Sequence, residues 1–200
     1  MGDRGRRGIR ACGVSLAASL LLALAPGSPS NPFGEALADQ RSEALPALFD
    51  SLLHAEDAAA AARIEERIWR EWLEAPDAAS RMLLGKIDAA MRVRRGLDEA
   101  LAIADELVET TPAFAEAWNR RATIHYLLGD DDSSVLDIGE TLSLEPRHFG
   151  AISGLGLIFL RQGDPAAALD AFEQVLTISP ASGNARRSVE RLRRELDRDI

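Results

Sequence analysis

Cysteine occurs once, at Cys12, lysine once, at Lys86, and tyrosine once, at Tyr126; the only histidines are His54, His125 and His148. A single thiol excludes an intrachain disulfide and a zinc–thiolate cluster. No two of the histidines stand at ligand spacing on one helix, so the pattern predicts no metal site. Serines are frequent, yet none sits in the G-x-S-x-G turn that exposes a nucleophile. Aromatic residues make up 5% of the chain, and the abundance of alanine and leucine favours helices over strands. No apolar run approaches the roughly 20 residues of a spanning helix. With 46% apolar and 28% charged residues over 200 positions, the composition is that of a folded domain.

The longest uncharged stretch lies near the start. "MGDRGRRGIR" carries Arg4, Arg6, Arg7 and Arg10 and leads into an apolar segment from Val14 to Ala25. A basic start, a short apolar run and the small-x-small triplet Ala36-Leu37-Ala38 predict a secretory signal peptide over residues 1–38, cleaved before Asp39. An uncleaved inner-membrane anchor is the alternative. Cys12 precedes the apolar run, which excludes a lipoprotein signal, and the surroundings of Arg6-Arg7 fit a twin-arginine signal poorly. Cleavage removes four of 23 basic and two of 32 acidic residues, moving the net charge from −9 to −11. Such an acidic chain repels phosphate backbones and is not expected to bind nucleic acid.

What the sequence does contain is a period. Pro112, Pro146 and Pro180 are spaced 34 residues apart, as are Ala100, Ser134 and Ala168, and Leu84, Trp118 and Ile152. Within the last unit, Ile152, Leu155, Gly156, Phe159, Ala168, Phe172 and Pro180 follow the order large, Leu-Gly, aromatic, small, aromatic, proline. On these residues the segment 81–182 resembles the tetratricopeptide repeat family. The resemblance implies an all-α superhelix of three to four helix-turn-helix repeats, with units at 81–114, 115–148 and 149–182. Arg121 and His125 stand where apolar or aromatic residues are usual, and Asp88 occupies the small-residue position. Residues 39–80 read as an N-terminal helical pair, a degenerate repeat, and residues 183–200 as a capping helix with Ala185, Val189, Leu192 and Leu196 on one side.

The period also settles two glycines that invite another reading. "GLGLIF" at Gly154–Phe159 lacks the third glycine of a dinucleotide loop and follows a helical pattern, so no nucleotide cofactor is expected. Gly156 is instead expected where two helices press together. Gly96, Gly129 and Gly163 are predicted to end helices in the left-handed conformation, with Asp98, Asp132 and Asp164 as the caps that follow. "GDDDSS" at Gly129–Ser134 is then a capped turn, lacking the ligand alternation of a calcium loop. Trp69 and Trp72 are read as core residues.

No residue set supports catalysis, so the expectation is a non-enzyme without cofactors. By the family resemblance, the first helix of each repeat lines a concave groove, which places Arg92, Glu116, Asn119, Thr123, Tyr126, Ser153 and Arg161 on its wall. Amide, hydroxyl and guanidinium groups suit an extended peptide whose backbone needs partners. The lysine-and-asparagine clamp by which some members hold a chaperone's terminal carboxylate is not matched. "AWNRRATIHYLLGD" and "LEPRHFGAISGLG" are similar to a group of exported bacterial tetratricopeptide proteins. The expected function is a periplasmic protein–protein adaptor or scaffold that binds a protein or peptide of the cell envelope, without membrane insertion after cleavage. The alternative is an accessory subunit of an envelope enzyme or assembly complex, in cell-wall or cytochrome biogenesis.

Overall fold

Left-handed residues and capping carboxylates cut the chain into helices of nearly equal length. The computed structural model describes residues 42–198, so the expected signal peptide lies outside the described residues. Nine helices and no strand occur among the described residues: α1 Leu45–Leu53, α2 Ala58–Trp72, α3 Ala78–Met91, α4 Leu97–Thr110, α5 Ala115–Leu128, α6 Asp131–Leu144, α7 Phe149–Gln162, α8 Pro165–Ile178 and α9 Gly183–Leu196. Helices α3–α4, α5–α6 and α7–α8 pair as hairpins, each packs on the next, and α9 packs on α8. No helix among the described residues is long and apolar enough to cross a membrane.

The turns inside the repeats show how sequence becomes geometry. Gly129 and Gly163 adopt φ of 85° and 76°, and the next N–H reaches back across the turn, Asp130 to His125 O and Asp164 to Phe159 O, both at 2.9 Å. These bonds satisfy carbonyls that a helix end leaves bare. Asp164 then caps α8 by accepting the Ala167 N–H at 2.9 Å. At α6 the cap is Asp130, not Asp132, which falls in the first turn beside Asp131. Gly96 departs further from expectation. Its φ is −89° while Arg95 takes the left-handed value of 71°, and Asp98 again sits in the first turn instead of capping. Gly96 is nonetheless required, since a Cβ there would lie 2.1 Å from Ala90 O.

Carboxylate caps carry a pH dependence. The Ser80 N–H, foremost, holds the Asp77 carboxyl below its ordinary range, and the hydrogen bonds of Ser133 do the same at Asp130. A depressed pKa contributes stability above the unfolded carboxylate range, which disappears as pH falls through the lowered folded value.

Two apolar clusters fill the stack. One joins α3, α4 and α5 through Leu84, Ile87, Ala104, Leu107, Phe114 and Ile124. The larger one runs through α6–α9 and includes Leu48, Leu52, Ile68 and Trp72 of the N-terminal pair. The pair α1–α2 is therefore a hairpin whose core is shared with the C-terminal repeats. Glu65 accepts the Ser179 hydroxyl at 2.8 Å, Arg147 lies over the Phe49 ring at 4.0 Å, and a Cβ on Gly183 would sit 3.4 Å from Ala58. The apolar stripes at 48–53 and 64–72 fix where these helices form; the partner face is chosen by the aromatic surface at the start of α7.

Gly156 lies where α7 presses on α8: an added Cβ would be 2.8 Å from the tip of the Phe172 ring. Gly85, on α3, has nothing within 4 Å. Gly156→Ala is expected to lower stability by about 1–3 kcal/mol through overpacking. Gly85→Ala is expected to raise it by about 0.5–1 kcal/mol through helix propensity. Urea denaturation of the two variants, followed by circular dichroism, tests both signs.

Candidate functional site

A cleft of about 170 Å³ opens between α5 and α7. Its walls include Asn119, Thr123 and Tyr126 from one helix and Ser153, Gly154 and Leu157 from the other, with Gly150 at one end. The 34-residue spacing explains the juxtaposition. Ser153 follows Asn119 by one period and Leu157 follows Thr123, so equivalent side chains of adjacent first helices stand side by side.

Hydrogen bonding inside the helices decides what this cleft can offer. Thr123 Oγ1 donates to Asn119 O at 2.9 Å and Ser153 Oγ donates to Phe149 O at 2.7 Å. Each hydroxyl has spent its proton and keeps its lone pairs. Asn119 Nδ2 donates to Glu116 Oε2 at 2.9 Å, which fixes the amide orientation and leaves its oxygen as an acceptor. An acceptor-rich wall beside Leu157, which is 44% exposed, suits a ligand with N–H donors and an uncharged apolar side chain.

Three of the seven residues read as groove wall from the sequence do not line the cleft. Arg92 caps the end of α3 and is exposed. Arg161 reaches back to the preceding repeat: its guanidinium sits 3.9 Å from the centre of the Tyr126 ring, donates to Tyr126 O at 2.8 Å and pairs with Asp131. It holds the Tyr126 ring as a prop. Glu116 is 0% exposed, so it offers no surface to a partner.

Glu116 belongs to a buried polar network. His148 Nδ1 accepts the Ala151 N–H at 3.1 Å, which caps α7 and leaves Nε2 as the protonated nitrogen facing Glu116 Oε2 at 3.2 Å. Arg120 Nε lies 2.9 Å from Glu116 Oε1, in contact although not aligned as a hydrogen bond, and another of its nitrogens lies 3.4 Å from Asp88. The Trp72 indole covers the histidine, stacked at 4.0 Å between ring centres and 11° between planes. Trp69 stands edge-on to both His148 and Phe149 and packs where Gly150 lacks a side chain; a Cβ there would lie 2.6 Å from the indole. The hairpin thus closes the His148 end of the cleft. Leu157 was recoverable from the period, as the residue one unit after Thr123. Trp69 was not, because its partner is more than 70 positions away.

The residues that break the apolar pattern assemble on another face. Arg121 forks onto Asp137 at 2.8 and 2.7 Å and reaches Asp105 at 3.0 Å, with Trp118 beneath it at 5.0 Å. Hydrogen bonding to Asp137, first, raises the pKa of Arg121. His125 stands 3.5 Å from Asp130 and 3.8 Å from Asp137. The ion network takes the place of apolar packing between α4, α5 and α6. No group of acidic, histidine or cysteine residues suited to a metal ion occurs among the described residues.

Removing one member of a buried charged network strands the others. Glu116→Ala is expected to cost about 3–5 kcal/mol, as the imidazole N–H and the Asn119 amide lose their acceptor and Arg120 loses its buried counter-charge. Thr123→Ala, on the open cleft, should stay within about 0.5 kcal/mol. Thermal unfolding of the pair of variants measures the contrast.

Comparison with known proteins agrees with this architecture. The tetratricopeptide repeat model matches residues 84–142 and 135–183. A TPR repeat-containing protein of Rhizobium etli is 36% identical over 149 residues, covering 74% of this chain and 72% of that protein. The small glutamine-rich tetratricopeptide repeat-containing protein 2 of Saccharomyces cerevisiae is 34% identical over 73 residues, which are 36% of this chain and 21% of the yeast protein. With its helical hairpins, its 34-residue period and these relatives, the chain belongs to the tetratricopeptide repeat family.

Proposed function

We propose that this protein is a non-catalytic adaptor that holds an extended peptide segment of a cell-envelope partner in the cleft between α5 and α7, after export to the periplasm. The observation that carries the reading is the cleft itself, where Asn119, Thr123, Tyr126 and Ser153 meet beside exposed Leu157. Fixed acceptors on rigid helices satisfy a peptide backbone without ordering the protein first, which reduces the entropic cost of binding. Tyr126 supplies a large, stiff contact surface, and Arg161 keeps its ring in place. Tetratricopeptide repeats are protein-interaction scaffolds in general; the basic, apolar and small-residue order of the first 38 residues supports the envelope as the place of the partner.

Two measurements test the reading. Pull-down from an envelope fraction with the wild-type chain and with Asn119→Ala and Tyr126→Ala should show captured proteins depleted by about tenfold in the variants, the loss of one good interface contact. An unchanged set of captured proteins defeats the groove assignment. Fractionation with N-terminal sequencing should find the protein in the periplasm beginning at Asp39; retention in the cytoplasm with residues 1–38 intact defeats the export assignment.

A further inference from the structure

In register, the capping helix α9 carries the rows of the repeats' first helices onward, and its chemistry differs from theirs. Ala185, Val189 and Leu192 are buried, and each stands one period after a buried residue of α7: Ala151, Leu155 and Ile158. α9 therefore presents to α8 the face that a repeat's first helix presents to its predecessor. The same register carries the groove rows onward. Asn119 and Ser153 are followed one period later by Arg187, Thr123 and Leu157 by Arg191, and Tyr126 and Leu160 by Arg194. All three arginines are exposed, and none is ion-paired among the described residues; Arg187 donates to the Asn184 amide oxygen and lies beside Gly183.

The neighbouring charges are arranged differently. Arg193 pairs with Glu173 at 2.7 Å, Arg186 donates to Pro180 O at 2.6 Å, and Arg198 to Arg194 O at 3.1 Å. Glu190 stands one period after Gly156, on the side that faces the second helix of a repeat, and Glu195 one period after Arg161. A chain with net charge −9 thus places three open cations in line with a neutral cleft.

We propose that the partner is a peptide segment carrying a run of aspartate or glutamate, whose carboxylates pair with Arg187, Arg191 and Arg194 while an uncharged apolar residue seats beside Leu157. The proposal rests on the groove reading above and names the chemistry of its ligand. From Arg187 to Arg194 the row is about 10 Å long at 1.5 Å per residue, the reach of about three extended residues. α7 and α9 both pack on α8, and at about 8–10 Å between neighbouring helices the apolar anchor precedes or follows the acidic run by about three residues. The cleft walls carry no cation, so a carboxylate finds its counter-charges on α9. An anionic membrane surface would meet the acidic remainder of the protein, whereas a peptide meets only the groove.

Fluorescence anisotropy on the full chain tests this with two synthetic peptides: a leucine three residues from a run of four glutamates, and the same peptide with lysines in place of the glutamates. The acidic peptide should bind at least about tenfold more tightly, lose that advantage at high salt, and lose about tenfold in the R187Q/R191Q/R194Q variant. These substitutions are exposed and should leave the circular dichroism spectrum unchanged. Equal or tighter binding of the lysine peptide, binding of neither peptide, or indifference to the triple substitution overturns the proposal. Arginine-dependent binding of phosphatidylglycerol vesicles without peptide binding overturns it in favour of a membrane. Loss of acidic-peptide binding in Tyr126→Ala but not in the arginine variant leaves the groove reading standing and removes this one; indifference to both removes both.

Discussion

A histidine whose Nδ1 is taken up by a backbone N–H, leaving its proton on Nε2, ties α5, α7 and the N-terminal hairpin together. The Ala151 N–H occupies His148 Nδ1, so the remaining proton points at Glu116, and Trp72 lies flat on the ring. Three elements distant in sequence are fixed by that arrangement: α5 through Glu116, α7 through its cap, and the N-terminal hairpin through the indole. The cleft walls are α5 and α7, so their separation is set by the same contacts. Glu116 accepts from Asn119 as well, which carries the order of the buried network to the cleft surface.

The repeats supply the frame around that network by small-residue packing. Ala100, Ser134 and Ala168, one period apart, are all fully or almost fully buried, and Gly156 lets Phe172 reach the helix opposite. At Ser134 the hydroxyl donates to Ala122 O at 2.8 Å, so a polar side chain is accommodated between helices because it has a partner there. The second repeat departs from the apolar pattern by the same logic. Arg121 is tolerated where an apolar residue would serve because Asp137 and Asp105 stand against it.

Function in such a scaffold lies in what the solenoid leaves open. The hairpin covers the start of α7 at Gly150 and reaches Ser179 and, at the start of α9, Gly183, and beyond it the row of Leu157 continues in register to the arginines of α9. One wall of acceptors and one row of cations form adjacent zones, and both zones arise from positions repeated every 34 residues.

The sequence by itself determined the helices, their ends and their order, because glycine, proline and capping aspartate act within a few residues of the chain. The period also determined which side chains share a row, and so brought Asn119, Thr123, Tyr126 and Ser153 to one wall. It misled at Arg92, which ends α3, and at Glu116 and Arg161, which are taken up by His148 and Asp131, contacts made across 32 and 30 positions. It was equally silent on the hairpin: the stripes of α1 and α2 state that an apolar face must be covered, not by what. Only the tertiary structure decided that Trp69 and Trp72 settle on His148, Phe149 and Gly150, because that choice depends on surfaces that exist only once the repeats have stacked.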